Sequence, residues 1–314
     1  MIKNIHQPVM STEVVNHLVV ARSGTYLDAT CGFGGHTEVI LKKLNSEGKL
    51  IAMDQDQDAI NYVKGKFTDQ SRLKIIKGRF GNLKELLESN DLNFKFSGIL
   101  ADLGISSFQL DNAHRGFSFQ NEGPLDMRMD LDQSLTAANI VNCETEIKLA
   151  DIIWRFGGER ESRKIAKAIV RAREKCEIRT TKKLAEIVEG VKPRRGKKTH
   201  PATKVFQGLR IKVNDEFGEL KQGLKSVSSL LKEGGRLVVI TFHSGEDRIV
   251  KDFGRVETRD YDVPGEEDVP ALRVDRPPRM RWANRKAICA TEKELAVNPR
   301  ARSAQLRVLE KLRT

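Results

Sequence analysis

Three aspartates, Asp28, Asp54 and Asp102, each close a short apolar run, and a glycine-rich turn follows the first. That stretch reads Tyr26-Leu-Asp28-Ala-Thr30-Cys-Gly32-Phe-Gly34-Gly35-His36. Carboxylates so placed can accept hydrogen bonds from hydroxyl and ammonium groups, and glycines let the backbone approach a ligand with no Cβ in the way. The order of the residues selects among ligands. A dinucleotide fingerprint runs G-x-G-x-x-G directly off a strand and cradles a pyrophosphate. Here the turn is D-x-x-x-G-x-G-G, and the leading acid repels a pyrophosphate. The spacing favours a ligand carrying an amine and ribose hydroxyls, such as S-adenosylmethionine, over NAD. Asp54 is placed to accept two ribose hydroxyls through charge-assisted bonds of about 1.5–3 kcal/mol each. Asp28 is placed to hold an ammonium, directly or through the loop. Phe80 lies either against an adenine or in the core.

Asp102-Leu-Gly104-Ile-Ser106-Ser107 stands where an amino-methyltransferase presents the group that meets its target nitrogen. An exocyclic amine is a poor nucleophile because its lone pair is delocalised into the ring. A carboxylate accepting its hydrogens favours attack on a sulfonium methyl, with in-line positioning and exclusion of water supplying the rest. Asp102 has two open roles, this one and a hydrogen bond to the cofactor. A metal is not needed for that chemistry. The histidines show no metal-ligand spacing; His36 starts a helix and His243 follows the fifth strand.

Holding three acids on one rim requires parallel strands, because ligands of open α/β sheets bind outside the carboxyl ends of the strands. The residue pattern supplies them. Strands are expected at Tyr26–Thr30, Leu50–Asp54, Leu73–Ile76, Gly98–Asp102 and Arg236–Thr241, alternating with helices over Asp58–Phe67 and Leu83–Leu87. From about Asp111 to Pro201 no good strand occurs. Ile165, Ile169, Ala172 and Cys176 recur at helical spacing, as do Leu184, Ile187 and Val191. The expected organisation is α/β at 1–110, an inserted helical domain for substrate recognition at 111–201, and α/β again at 202–314. A single helix is expected near Thr203–Leu231, a loop over Asp262–Pro278, and closing edge strands at Arg285–Thr291 and Leu306–Leu309.

The chain has 314 residues and a formal net charge of +12, which points to a polyanionic partner, most readily nucleic acid. The charge is concentrated. Arg163, Lys164, Lys167, Arg171, Arg173 and Lys175 crowd one expected helix; Lys192, Arg194, Arg195, Lys197 and Lys198 form a basic loop; Arg273, Arg276, Arg279, Arg281, Arg285 and Lys286 form a third cluster. Cys31, Cys143, Cys176 and Cys289 form no C-x-x-C pair, so neither a metal site nor a disulfide is expected. No membrane-length apolar run and no signal-type apolar core occur, and a reducing cytoplasm is the expected setting.

In this order the motifs resemble one family. They are His6-Gln-Pro8-Val9-Met10, Gly32-Phe-Gly34-Gly35-His36, Asp102-Leu-Gly104-Ile-Ser106-Ser107-Phe-Gln109-Leu110-Asp111, Arg115-Gly116-Phe117-Ser118-Phe119, Gly123-Pro124-Leu125-Asp126-Met127-Arg128-Met129-Asp130, His200-Pro201-Ala202-Thr203, Phe242-His243-Ser244 with Glu246-Asp247-Arg248, and Asn298-Pro299-Arg300-Ala301-Arg302-Ser303. The chain resembles the bacterial small-subunit ribosomal RNA methyltransferase H family, also called MraW. The resemblance covers nearly the whole chain. It implies a class I S-adenosylmethionine-dependent methyltransferase fold, a Rossmann-like parallel sheet with an inserted helical domain. It implies S-adenosylmethionine as methyl donor and, as acceptor, the N4 amine of a cytidine in the decoding region of 16S rRNA within the small ribosomal subunit; the sequence leaves both a monomer and a homodimer open. It carries cofactor contacts onto Gly34, Gly35, His36, Asp54, Phe80, Asp102 and Gln109, with Asp102 also the catalytic candidate. The chain departs from the usual pattern at Cys31, Phe33, Phe108 and Gly245. Phe108, Phe117 and Phe119 are candidates to stack on a flipped base or to pack in the core. A non-catalytic assembly factor, a DNA amino-methyltransferase and an NAD oxidoreductase are the alternatives; the last two lack their usual sequences here.

Overall fold

The structure is a computed structural model that describes residues 8–194, 196, 199–265 and 267–313. His6 of the opening motif and Arg195, Lys197 and Lys198 of the basic loop lie outside the described residues. The chain forms two compact units, one running up to Gly104 and resuming at Phe217, the other spanning Ile105–Glu216.

The first unit opens with α1 (Ser11–Leu18), β1 (Thr25–Asp28), α2 (Gly35–Lys43), β2 (Lys49–Asp54), α3 (Gln57–Lys66), β3 (Leu73–Lys77), α4 (Leu83–Ser89) and β4 (Phe96–Asp102). The central strands read as continuous apolar runs because both faces are covered: six of the seven residues of β4 are buried. Strand order is β3-β2-β1-β4, all parallel, continuing to β5. The order reverses between β1 and β4, so the carboxyl ends of these strands flank a switch point, where open sheets hold ligands.

The second unit carries α5 (Ser107–Asp111), α6 (Ala137–Cys143), α7 (Glu146–Arg155), α8 (Ser162–Arg173), α9 (Thr181–Val191) and α10 (Thr203–Asn214). Its core joins Leu149, Ile153, Ile165, Ile169, Leu184, Val188 and Leu209. The run Gly123–Asp130 is a structural brace of this unit. Asp126 takes the Arg128 guanidinium on both oxygens at 2.8 Å. The Arg115 guanidinium donates to the carbonyls of Arg128 and Met129 at 3.0 Å each, and Asn214 bridges Met129 N at 2.7 Å and the Met127 carbonyl at 2.8 Å. A Cβ on Gly123 would stand 1.8 Å from the Ala113 carbonyl oxygen, so only glycine fits.

The chain then returns to the sheet through α11 (Glu216–Leu230), β5 (Leu231–Thr241) and α12 (Ser244–Thr258). β6 (Tyr261–Asp262) and β7 (Val274–Asp275) pair with each other; β8 (Met280–Trp282), β9 (Ile288–Cys289), α13 (Glu292–Val297) and β10 (Gln305–Lys311) close the unit. β10 lies antiparallel between β5 and β8. Four sequence expectations change. The helix expected near Thr203–Leu231 is two, because Asp215 adopts a left-handed φ of 47°. Asn214 ties α10 to the Gly123–Asp130 brace, so the helical unit extends past residue 201 to Glu216. The strand at Arg285–Thr291 shrinks to two residues because the Thr291 side chain caps α13 by accepting from Glu294 N at 3.3 Å. The stretch Asp262–Pro278 contains a short antiparallel pair. Among the described residues no helix is long and apolar enough to cross a membrane.

Candidate active site

The carboxyl ends of β1, β2 and β4 bring Asp28, Asp54 and Asp102 to one rim, as the sequence led one to expect. Asp54 organises the glycine turn. One of its oxygens accepts the Gly32 N–H at 2.8 Å and the other the Asp56 N–H at 2.9 Å. An ionised carboxylate offers about four acceptor sites, so capacity for two hydroxyls remains. Burial pushes Asp54 up to about 6 against the pull of those two backbone donors. Asp28 is fully buried, and its carboxylate accepts the Thr37 hydroxyl at 2.8 Å. Burial pushes it too up to about 6, against the pull of His36 and Thr37.

Gly34 and Gly35 carry the turn into α2. Gly34 has φ +76°, and a Cβ there would stand 2.9 Å from the Phe67 ring; one on Gly35 would stand 3.1 Å from Pro8. The glycines are therefore demanded by backbone conformation and by close packing of the chain on itself, which shapes the turn before any ligand arrives.

His36, buried at the start of α2, places Nε2 3.3 Å from Asp102 Oδ2. Burial alone would lower its imidazole, but Asp102, Asp28 and Glu294 outweigh it and hold the pKa above its ordinary value. The Asp102 backbone N–H donates to Thr30 Oγ1 at 2.7 Å, which fixes the strand end. Asp28 Oδ1, Asp102 Oδ1 and both ring nitrogens of His36 are buried and make no hydrogen bond among the described residues, the approach of Nε2 to Asp102 Oδ2 being a charge pair. Buried polar atoms are normally satisfied, so these atoms mark places where a ligand donor or acceptor fits. The rim thus offers acceptors for hydroxyls and an ammonium, which suits S-adenosylmethionine.

Over residues 3–312 the chain matches the MraW methylase family. The chain belongs to the MraW methylase family. Two relatives named ribosomal RNA small subunit methyltransferase H illustrate the likeness. The one from Carboxydothermus hydrogenoformans is 43% identical over 309 residues, 98% of each chain. The one from Coxiella burnetii is 43% identical over 307 residues, 98% of this chain and 99% of the relative. A solved structure titled a putative rRNA-methylase from Clostridium thermocellum aligns at TM-score 0.42 and 14% identity over 96% of this chain and 95% of the other. The class I methyltransferase fold implied by the resemblance is shown: membership in this methylase family agrees with the mostly parallel order β3-β2-β1-β4-β5 and antiparallel β10.

The residues that the family resemblance implicates divide between the units. Gly34, Gly35, His36, Asp54, Phe80 and Asp102 belong to the first. Phe80 follows β3 but sits in the core, 7% exposed and tight against Gly223 of α11. Gln109 belongs to the helical unit, where its side-chain oxygen accepts the Ser106 N–H at 3.0 Å and the Ser106 hydroxyl accepts the Gln109 N–H at 3.2 Å. His243 is the N-cap of α12: Nδ1 accepts the Glu246 N–H at 3.4 Å. The departures from the family pattern are accommodated locally. Cys31 is buried beside Ala52 and Val63, Phe33 leans on Tyr62 at 5.2 Å, and the Phe217 ring occupies the space a side chain at Gly245 would need. Phe117 lies in the helical core, and Phe119 packs on Phe206 and His200 at 4.9 and 4.5 Å. The third basic cluster is largely consumed by acids: Arg273 meets Asp268 at 2.7 Å, Arg276 meets Asp262 at 2.7 Å, Arg279 meets Glu257 at 3.2 Å, and Arg281 meets Glu310 at 2.6 Å. Sequence reasoning missed Thr30 and Glu294, whose hydroxyl and carboxylate support Asp102 and His36 from positions with no motif signal.

Proposed function

We propose that the protein transfers a methyl group from S-adenosylmethionine to the N4 amine of a cytidine in the decoding region of 16S rRNA, and that it does so in the cytoplasm. The observation that carries the reading is the strand-end triad of Asp28, Asp54 and Asp102 around the glycine turn in a chain of this family. The names of the relatives support a small-subunit rRNA acceptor.

Asp54 accepts the ribose hydroxyls, Asp28 supports the ammonium side through the turn, and Gly34, Gly35 and His36 line the approach. Phe80, buried after β3, would border the adenine side. When bound, S-adenosylmethionine supplies a methyl group already activated on a sulfonium. Asp102 holds a proton of the amine at Oδ1, which draws electron density toward the nitrogen as it attacks the methyl carbon. The donor would leave as the neutral thioether, and Asp102 would take the proton that the nitrogen releases and pass it to solvent. His36 holds Oδ2 and so fixes which oxygen faces the amine. Transfer of labelled methyl from the donor to small ribosomal subunits, followed by nucleoside analysis, tests this: label in N4-methylcytidine is expected, and label in another nucleoside or none overturns it.

A further inference from the structure

On several helices of this chain, exposed cations are neutralised by acids one turn away. Lys42 pairs with Glu38 at 2.5 Å, Lys148 with Glu144 at 3.3 Å, Arg155 with Asp151 at 3.3 Å, and Lys251 with Asp247 at 3.2 Å. On α8, Lys164 pairs with Glu161 at 3.5 Å, but a second row of cations does not follow this habit. Arg163, Lys167 and Arg171 recur every fourth residue along the helix, Lys175 continues just past its end, and all four are exposed. None has an acid partner among the described residues. Successive members stand about 6 Å apart along the axis. Like charges at this spacing destabilise a helix, so the row carries a cost that a bound polyanion would remove.

Trp154, at the end of α7, leads into this helix. It is 53% exposed, the only tryptophan or tyrosine among the exposed large hydrophobic residues described. The turn beneath it is tightly built. The Gly158 N–H donates to the Trp154 carbonyl at 2.9 Å. Buried Glu159 takes Lys192 at 2.6 Å and the Glu161 N–H at 3.0 Å. A Cβ on Gly157 would meet the Lys204 carbonyl of α10 at 2.1 Å. The indole is therefore presented by a fixed turn, with exposed Arg160 and Arg163 within nine residues of it in sequence. A flat apolar ring beside cations suits an unpaired base and its phosphates, since stacking on aromatics tolerates any base and cations track the backbone.

We propose that the outer faces of α7 and α8 form a track for single-stranded RNA, with one base stacked on Trp154 and the backbone following Arg163, Lys167, Arg171 and Lys175. It rests on RNA being the acceptor, and it adds to the stacking candidates Phe108, Phe117 and Phe119 an exposed ring.

The test uses the full chain with Trp282→Phe, so that Trp154 alone fluoresces, titrated with a mixed-sequence RNA oligonucleotide as a single strand and as a duplex. Single strands are expected to quench Trp154 and to bind more tightly than the duplex. Trp154→Ala in the otherwise natural chain should weaken single-strand affinity by about 5- to 150-fold, while Trp154→Phe retains most of it. Cofactor affinity should not move. Unchanged RNA affinity in Trp154→Ala, equal binding of duplex and single strand, or loss of a homodimer with RNA affinity intact would each overturn the track. Methyl transfer to small subunits is measured in parallel. Absence of transfer with the Trp154 effect present would sink the proposed reaction and leave the track standing.

Discussion

The strand-end rim and the outer face of α8 handle charge in opposite ways. At the rim the carboxylates are buried or half-buried and already engaged: Asp54 by Gly32 and Asp56, Asp28 by Thr37, and Asp102 by His36. On α8 the cations are exposed and lack acid partners among the described residues. Fixed, desolvated charge discriminates one small ligand by geometry, because each group is held before the ligand arrives. Loose, solvated charge recognises a polymer of phosphates by its density, with strong dependence on salt. Both belong to one chain whose relatives are named for methylating a ribosomal RNA.

The contrast is most easily broken at Asp54. Asp54→Ala removes the acceptors proposed for two hydroxyls, each bond worth about 1.5–3 kcal/mol, and cofactor affinity is expected to fall at least about 100-fold by calorimetry. RNA affinity should stay within about twofold. Unchanged cofactor affinity would dissolve the assignment of Asp54.

The helical face is sharpened by two neighbouring arginines. Arg171 is exposed and free of an acid partner among the described residues, whereas the Arg173 guanidinium donates to the Val141 carbonyl at 2.7 Å. Arg171→Glu should weaken RNA binding and reduce the salt slope by about 0.7 or more, with no change in melting temperature. Arg173→Glu should instead cost about 1–3 kcal/mol of stability. Equal effects of the two substitutions on RNA affinity and on melting would erase the distinction drawn between them.

The smallest effect expected is in pH dependence. Asp28 is raised from 3.8 to about 6 by burial, so between those values the folded state binds more proton than the unfolded one. Its stabilising contribution is present below about pH 4 and is lost as pH rises through about 6. Asp54 acts in the same direction. The cofactor-free protein should melt higher at pH 5 than its other titrations alone would give, and Asp28→Asn should flatten that trend by a few degrees. Melting curves across pH 4–8 that coincide in shape for the two proteins would contradict the assignment.

The rim was legible in the sequence because acids at the ends of apolar runs and a glycine turn are local signals. The roles of several motif residues were not. Gly123–Asp130 reads as the most distinctive run, yet in the structure Asp126 and Arg128 close on each other, and the run's backbone carbonyls are taken by Arg115 and Asn214 from outside it. Arg273–Arg281 reads as a nucleic-acid patch, and Asp262, Glu257 and Glu310 meet most of it. Counting cations along a chain cannot reveal acids that folding brings beside them. Phe117 and Phe119 look like stacking residues until the helical core encloses them, and Trp154 draws no notice until its exposure is known. Gln109 came from resemblance alone; its capping bonds to Ser106 give it a local structural role as well.

The central claim is methyl transfer to a cytidine amine of the small-subunit RNA. Mass spectrometry of 16S rRNA from cells with and without this gene tests it most directly. A methyl group on the N4 amine of a decoding-region cytidine, present with the gene and absent without it, is the expected result. Identical methylation of the RNA from both cells would contradict the account.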